Sequence, residues 1–285
     1  MAVWSAGAIR LVRALALGLA PSLVLAFMPG AEARAASEGA ATVFLEEMTS
    51  PELRDRIAAG ATVALVPIGG TEQNGPHMVL GKHNARAHVL AGRIARRLGH
   101  AVVAPVISYV PEGAVSPPQA HMRFTGTLSV PEPAFEALLE GAARSLVQHG
   151  FRTVVFLGDH GGYQKCEERV AARLNRPSAG LSGARVLALR EYYEVTQTRY
   201  VADLKAAGFS QAEIGTHAGL ADTALTLALD PALVRVPMLS ASRKWTPSDG
   251  VYGNPTRATA DLGQIGVQQI VESSVQAIRA AEAVR

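Results

Sequence analysis

A single cysteine, Cys166, stands in a chain of 285 residues, so no intrachain disulfide can form even in an oxidising compartment. Charge is scarce as well: charged residues make up 18% of the chain, and 27 Lys and Arg against 24 Asp and Glu leave a formal +3. No basic stripe gathers them, and neutralising a phosphate backbone needs one, which excludes a nucleic-acid partner. The one extended apolar run outside the core pattern, Ala14 to Met28, is interrupted by Pro21 and is shorter than the roughly 20 residues a membrane span needs. Internal repeats and low-complexity tracts are absent too.

What is present is a 48% hydrophobic chain, enough for one sizeable core and one globular domain. Arg10 and Arg13 precede the apolar run, and the small residues Ala31, Ala33 and Ala35 follow it, the order of an export signal. Residues 1–35 are therefore expected to be a cleaved signal peptide. They carry Arg10, Arg13 and Arg34 against Glu32, so their removal takes two positive charges and leaves +1 on residues 36–285. The mature protein is expected in the periplasm or secreted, with no stable membrane insertion. No cysteine near the cleavage region can accept a lipid, and Cys166 reads as a helix residue without chemistry.

Along residues 36–285 the apolar pattern alternates between two periods. Leu53 to Ala59 opens behind Thr49-Ser50-Pro51 as a helix. Thr62 to Pro67 is a continuous apolar run, the profile of a strand buried on both faces. Helices follow at Ala85 to Leu98, Glu132 to Gln148, Lys165 to Asn175 and Ala221 to Leu229, with strands at Ala101 to Pro105, Thr153 to Leu157 and Ala184 to Leu189. Tyr109 to Gly126 reads as irregular. Such handovers indicate a single three-layer α/β domain, a mostly parallel sheet flanked by helices, in which ligands gather at the carboxyl ends of strands.

Three polar clusters fall at element ends, and each contains histidine. The first is the loop Gly70-Thr71-Glu72-Gln73-Asn74-Gly75-Pro76-His77, running on through Leu80-Gly81-Lys82-His83; the second is Asp159-His160-Gly161-Gly162-Tyr163; the third is Thr216-His217-Ala218-Gly219 to Asp222-Thr223. A carboxylate and imidazoles can bind a divalent ion, but a lone histidine is more often structural, and a polar surface loop explains the first cluster about as well. Three such clusters together fit a shared site better than three accidents.

These clusters resemble the creatininase family, whose first loop reads Glu-Gln-His-Gly-Pro-His-Leu-Pro-Leu with an Asp soon after. Glu72, Gln73, Gly75, Pro76, His77 and Leu80 are kept. Further landmarks run in order: His121 before Phe124-Thr125-Gly126-Thr127, Gly158 to Tyr163, His217-Ala218-Gly219, and Gly250-Val251-Tyr252-Gly253-Asn254-Pro255. The resemblance implies a homo-oligomeric α/β enzyme whose metal centre hydrolyses C–N bonds of cyclic or linear amides in small molecules. In two-metal members one ion is held at positions occupied here by Glu72, His83 and His160, all capable ligands. The second ion's positions are Asn74, His83 and Gly162, so that site looks lost. The resemblance thus implies one divalent ion, zinc first and Fe²⁺ or Mn²⁺ as alternatives, with a metal-activated water as nucleophile. It also implies His217 near the reacting group, Asp222 as base or as support, Asn74 as a donor to a substrate carbonyl, and His77 and His121 lining the pocket. Two other readings stay open: a member that binds metal or ligand without catalysis, and one directed at a lactone, ester or carbohydrate.

Overall fold

The computed structural model describes residues 42–181, 183–240 and 242–284. The expected signal peptide at 1–35 lies outside them. Among the described residues no helix is long and apolar enough to cross a membrane.

Four parallel strands form the sheet: β1 (Val63–Ile68), β2 (Ala101–Val103), β3 (Thr153–Gly158) and β4 (Arg185–Ala188), in the spatial order β2-β1-β3-β4. Every residue of β1 and β3 is buried. That follows from their near-continuous apolar sequence, and it places them at the centre with a helical layer on each face.

Alternate residues feed the two layers, as the two-residue period of a strand requires. Leu65, Val155 and Leu157 pack against α2 (Lys82–Leu98), α5 (Arg190–Gln197), α6 (Arg199–Ala206) and the long terminal helix α9 (Ala260–Ala283). On the other face Ala64, Val66 and Phe156 meet Phe135 and Leu139 of α3 (Glu132–Gln148) and Val170 of α4 (Gln164–Leu174), with Leu53 and Ile57 of α1 (Ser50–Ala58) at the margin. The short α7 (Gln211–Ile214) leads into α8 (Leu220–Leu229), and α8 lies against α9. The three-layer α/β architecture expected from the sequence is the one found.

Two departures matter for the site. Helix α2 starts at Lys82, three residues earlier than the apolar pattern suggests, because Lys82 and His83 point inward and are buried despite their polarity. Helices α5, α6 and α9 have no counterpart in the sequence reading and complete the layer that closes over α2.

Register brings the two central strand ends together. Ile68 pairs with Gly158, so the loop leaving β1 and the turn leaving β3 emerge side by side, and Asp159 N donates to Ile68 O at 3.0 Å. Asn84 on α2 ties the same corner: its Oδ1 accepts from Gly70 N at 2.9 Å and its Nδ2 donates to Thr71 Oγ1 at 3.2 Å.

Candidate metal centre

Glu72 stands at the middle of the cluster, fully buried on the loop after β1. Its two oxygens face different company. Oε1 lies 2.8 Å from His83 Nε2, 3.6 Å from His217 Nδ1 and 4.0 Å from Lys82 Nζ. Oε2 faces His121 Nδ1 at 3.2 Å and His160 Nε2 at 3.9 Å, and it has no hydrogen-bond partner. Burial alone would push this carboxyl up, but the His83 hydrogen bond and the charges of His83, His160 and Lys82 outweigh it and hold Glu72 well below the usual carboxylate range.

The Oε2 side holds a residue the sequence reading passed over. Glu112, from the irregular segment after β2, is buried with neither oxygen hydrogen-bonded, and its Oε2 lies 3.8 Å from His160 Nδ1. Burial, reinforced by the negative charge of Glu72, pushes Glu112 up to about 9. Gly70 makes room for it: a Cβ there would come within 2.7 Å of Glu112 Oε1, and the backbone φ of +142° is itself one that favours glycine. Glu112 is the only acid between Tyr109 and Gly126, which is the signal the sequence offered.

Donor atoms of Glu72, Glu112, His121 and His160 all lie within 4.8 Å of one another. Metal–ligand bonds of about 2 Å span such a group with small side-chain rotations. Orphaned carboxylate oxygens beside imidazole nitrogens in a buried setting are the chemistry that a divalent cation satisfies. The residues present therefore fit a metal ion. The mouth is open on this side: a cavity of ≈ 510 Å³ is lined by Pro111, Glu112, His121, Val130 and His160, and one of ≈ 330 Å³ by His121, Arg123, Phe124, His217 and Tyr252.

His83, expected as the third ligand, stands outside that group of four, on the Oε1 side. Its Nδ1 is held by Asp159 Oδ2 at 2.5 Å, which leaves Nε2 to face Glu72. His121, expected only to line the pocket, is among the four. His160 has its Nδ1 accepting from Gly162 N at 3.2 Å, and burial lowers its pKa to about 4. A side chain at position 162 would press on that ring, with a Cβ 3.0 Å from it.

The remaining expected residues are placed as follows. His217 has Nε2 at 2.9 Å from the Gln73 carbonyl and 3.0 Å from the Gln73 side-chain Nε2, with Nδ1 turned to Glu72; burial, aided by Lys82, lowers its pKa to about 3. Asp222 is not free to act alone: Oδ1 accepts from Arg86 at 2.7 Å, and Oδ2 from Lys82 at 2.6 Å and from Ala218 N at 2.9 Å. Burial raises Asp222, but the charges of Lys82 and Arg86 win and hold it well below the usual range. Asn74 spends both amide hydrogens on the loop, to Glu72 O at 2.9 Å and Val79 O at 3.1 Å. The donor expected for a substrate carbonyl is thus already used, and only the buried acceptor Oδ1 is left over. His77 is fully buried, bonded through Nε2 to Thr223 Oγ1 at 3.0 Å and set edge-on to Trp245, a packed position rather than a place on the two cavities above.

Residues 46–278 match the family model described as Creatininase: Creatinine amidohydrolase. The chain belongs to the creatininase family. It is an enzyme of the metal-dependent amidohydrolase type, as that membership entails. It is 26% identical over 256 residues to the creatinine amidohydrolase of Pseudomonas putida, covering 84% of this chain and 96% of that one. It is 28% identical over 238 residues to the mycofactocin precursor peptide peptidase of Mycolicibacterium smegmatis, covering 76% and 84%. A solved creatininase mutant of Zn-Zn type shares the fold at a TM-score of 0.66 and 24% identity, with 85% of this chain and 99% of that chain covered.

Proposed function

We propose that this protein hydrolyses a C–N bond in an amide of a small molecule, with one divalent ion, zinc in the first instance, held by Glu72, Glu112, His121 and His160. The observation that carries this is the meeting of four ligand-type donors, three of their carboxylate oxygens without a hydrogen-bond partner, at the inner end of two cavities. When bound, a divalent ion there supplies a Lewis acid and lowers the pKa of water towards about 7.

The chain's own side chains then divide the work. His217 stays neutral at physiological pH, with Nδ1 3.6 Å from Glu72 Oε1, and its ring lines the outer cavity, where it orients the amide. Arg123, Phe124 and Tyr252 shape the outer cavity and with it the substrate's side group. His83, clamped between Asp159 and Glu72, fixes the Glu72 carboxylate in its plane. Asp222 acts as support, because a carboxylate held by two cations far below its usual pKa is a poor proton acceptor.

The reading extends to an exported, homo-oligomeric enzyme. Export rests on the charged and apolar pattern of residues 1–35, and the apolar Leu80 and Leu128, both exposed, offer surface for a second copy. The test of the function is metal content and amide hydrolysis in one preparation. The wild type should contain metal and cleave members of an amide and short-peptide panel, with chelation abolishing and zinc restoring activity. Glu72→Gln should lose activity by more than about 100-fold, by analogy with the 10- to 100-fold effects of mere ligand-supporting groups. Full activity in chelator would rule the function out.

A further inference from the structure

Lys82 is a fully buried cation that the reaction as proposed does not use. It lies in the first turn of α2, has no exposed side-chain surface, and sets its Nζ 2.6 Å from Asp222 Oδ2 and 4.0 Å from Glu72 Oε1. A buried ammonium persists only where carboxylates surround it, since desolvation otherwise costs several kcal/mol. Here both carboxylates belong to the centre. Glu72 thus has a fixed positive charge on its Oε1 side, while the orphaned donors gather on its Oε2 side.

The charge balance of the cluster points the same way. Once a bound ion displaces the proton of Glu112, four carboxylates, Glu72, Glu112, Asp159 and Asp222, are set against two cations, Lys82 and Arg86. One divalent ion brings that balance to zero. A second would exceed it by two, in a place where unpaired charge is expensive.

We infer that the Lys82 ammonium is a built-in second cation: it occupies the Oε1 side of Glu72, between Glu72 and Asp222, and restricts the centre to a single divalent ion. This rests on the metal-dependent reading above. Lys82 is accordingly a positioning residue, which bridges Glu72 and Asp222 with an ammonium tethered to the chain.

Elemental analysis of the full chain saturated with Zn²⁺ and desalted reads this directly. The wild type and Lys82→Arg should each hold one zinc per chain. Lys82→Ala should hold two, because Glu72 Oε1, Asp222 Oδ2 and His217 Nδ1 are then left around an open space. Anomalous diffraction from zinc-soaked wild type guards against a variant that fails to fold: the peak should fall on the Oε2 side alone. Two zinc ions in the wild type, a peak between Glu72 and Asp222, or one zinc in folded Lys82→Ala would each overturn the inference while leaving the metal enzyme intact. No zinc in the wild type would instead overturn the function on which it rests.

Discussion

The two sides of Glu72 are built to opposite rules. On the inner side Lys82, Arg86, His83, Asp159 and Asp222 form a closed network: Arg86 alone bonds Asp159 at 2.8–2.9 Å and Asp222 at 2.7 Å, and Tyr192 Oη adds a bond to Asp159 Oδ1 at 3.0 Å. On the outer side Glu112 and Glu72 Oε2 are buried and unbonded, and the imidazoles of His121 and His160 are about one-fifth exposed. Satisfied polar groups rigidify a fold, whereas unsatisfied ones cost stability and persist where a ligand compensates them. The comparison therefore assigns stability to one side and binding to the other.

Breaking the inner side should cost the most in stability. Arg86→Met leaves Asp159 and Asp222 short of a partner and should destabilise the protein by about 3–5 kcal/mol, read from urea unfolding. A loss under 1 kcal/mol would show that the network is dispensable. Next comes acid sensitivity at His77, which lies off the ligand group. Burial, with a contribution from Lys82, lowers this imidazole from 6.5 to about 4, so the folded chain holds it neutral where the unfolded chain protonates it. Unfolding takes up that proton between about pH 6.5 and 4, and the stability it represents is lost as pH falls through that window. Replacing it by Gln should make the decline from pH 7 to pH 4 shallower by about 2 kcal/mol, from the worth of a pKa unit discounted for relaxation around a buried charge. An unchanged slope would place the acid sensitivity elsewhere. The smallest effect belongs to the seam between the sides: Gly70→Ala, strained in backbone and crowding Glu112, should cost about 1 kcal/mol and weaken metal binding together with it. Loss of stability with metal affinity intact would separate Gly70 from the site.

Much of this arrangement was legible in the sequence because it is carried by strand ends. The runs at Val63–Ile68 and Thr153–Gly158 announce buried parallel strands, and glycine-rich turns immediately after them put Glu72 and His160 in the place where such sheets bind ligands. Helix α3 was readable to the residue, from its period and the Gly150 that stops it. Lys82 and His83 were harder, since local pattern treats charge as exposed and only tertiary pairing makes their burial tolerable. Glu112 was invisible for a related reason. It sits in a segment without periodicity, and its burial depends on Gly70, 42 positions earlier in the chain. The roles expected of Asn74 and Asp222 were carried by resemblance, and the hydrogen bonds around them, which no spacing encodes, use up the Asn74 amide hydrogens and leave Asp222 the supporting alternative.

Glu112 is also where the account is most exposed. Calorimetric titration of chelator-stripped protein with Zn²⁺ should show one tight site in the wild type. In Glu112→Gln, which keeps the shape but not the charge, the affinity should fall by about 100-fold or more, while the unfolding free energy of the metal-free protein stays within about 1 kcal/mol of wild type. Equal zinc affinity in the two proteins would contradict the claim that the outer side of Glu72 is the metal site.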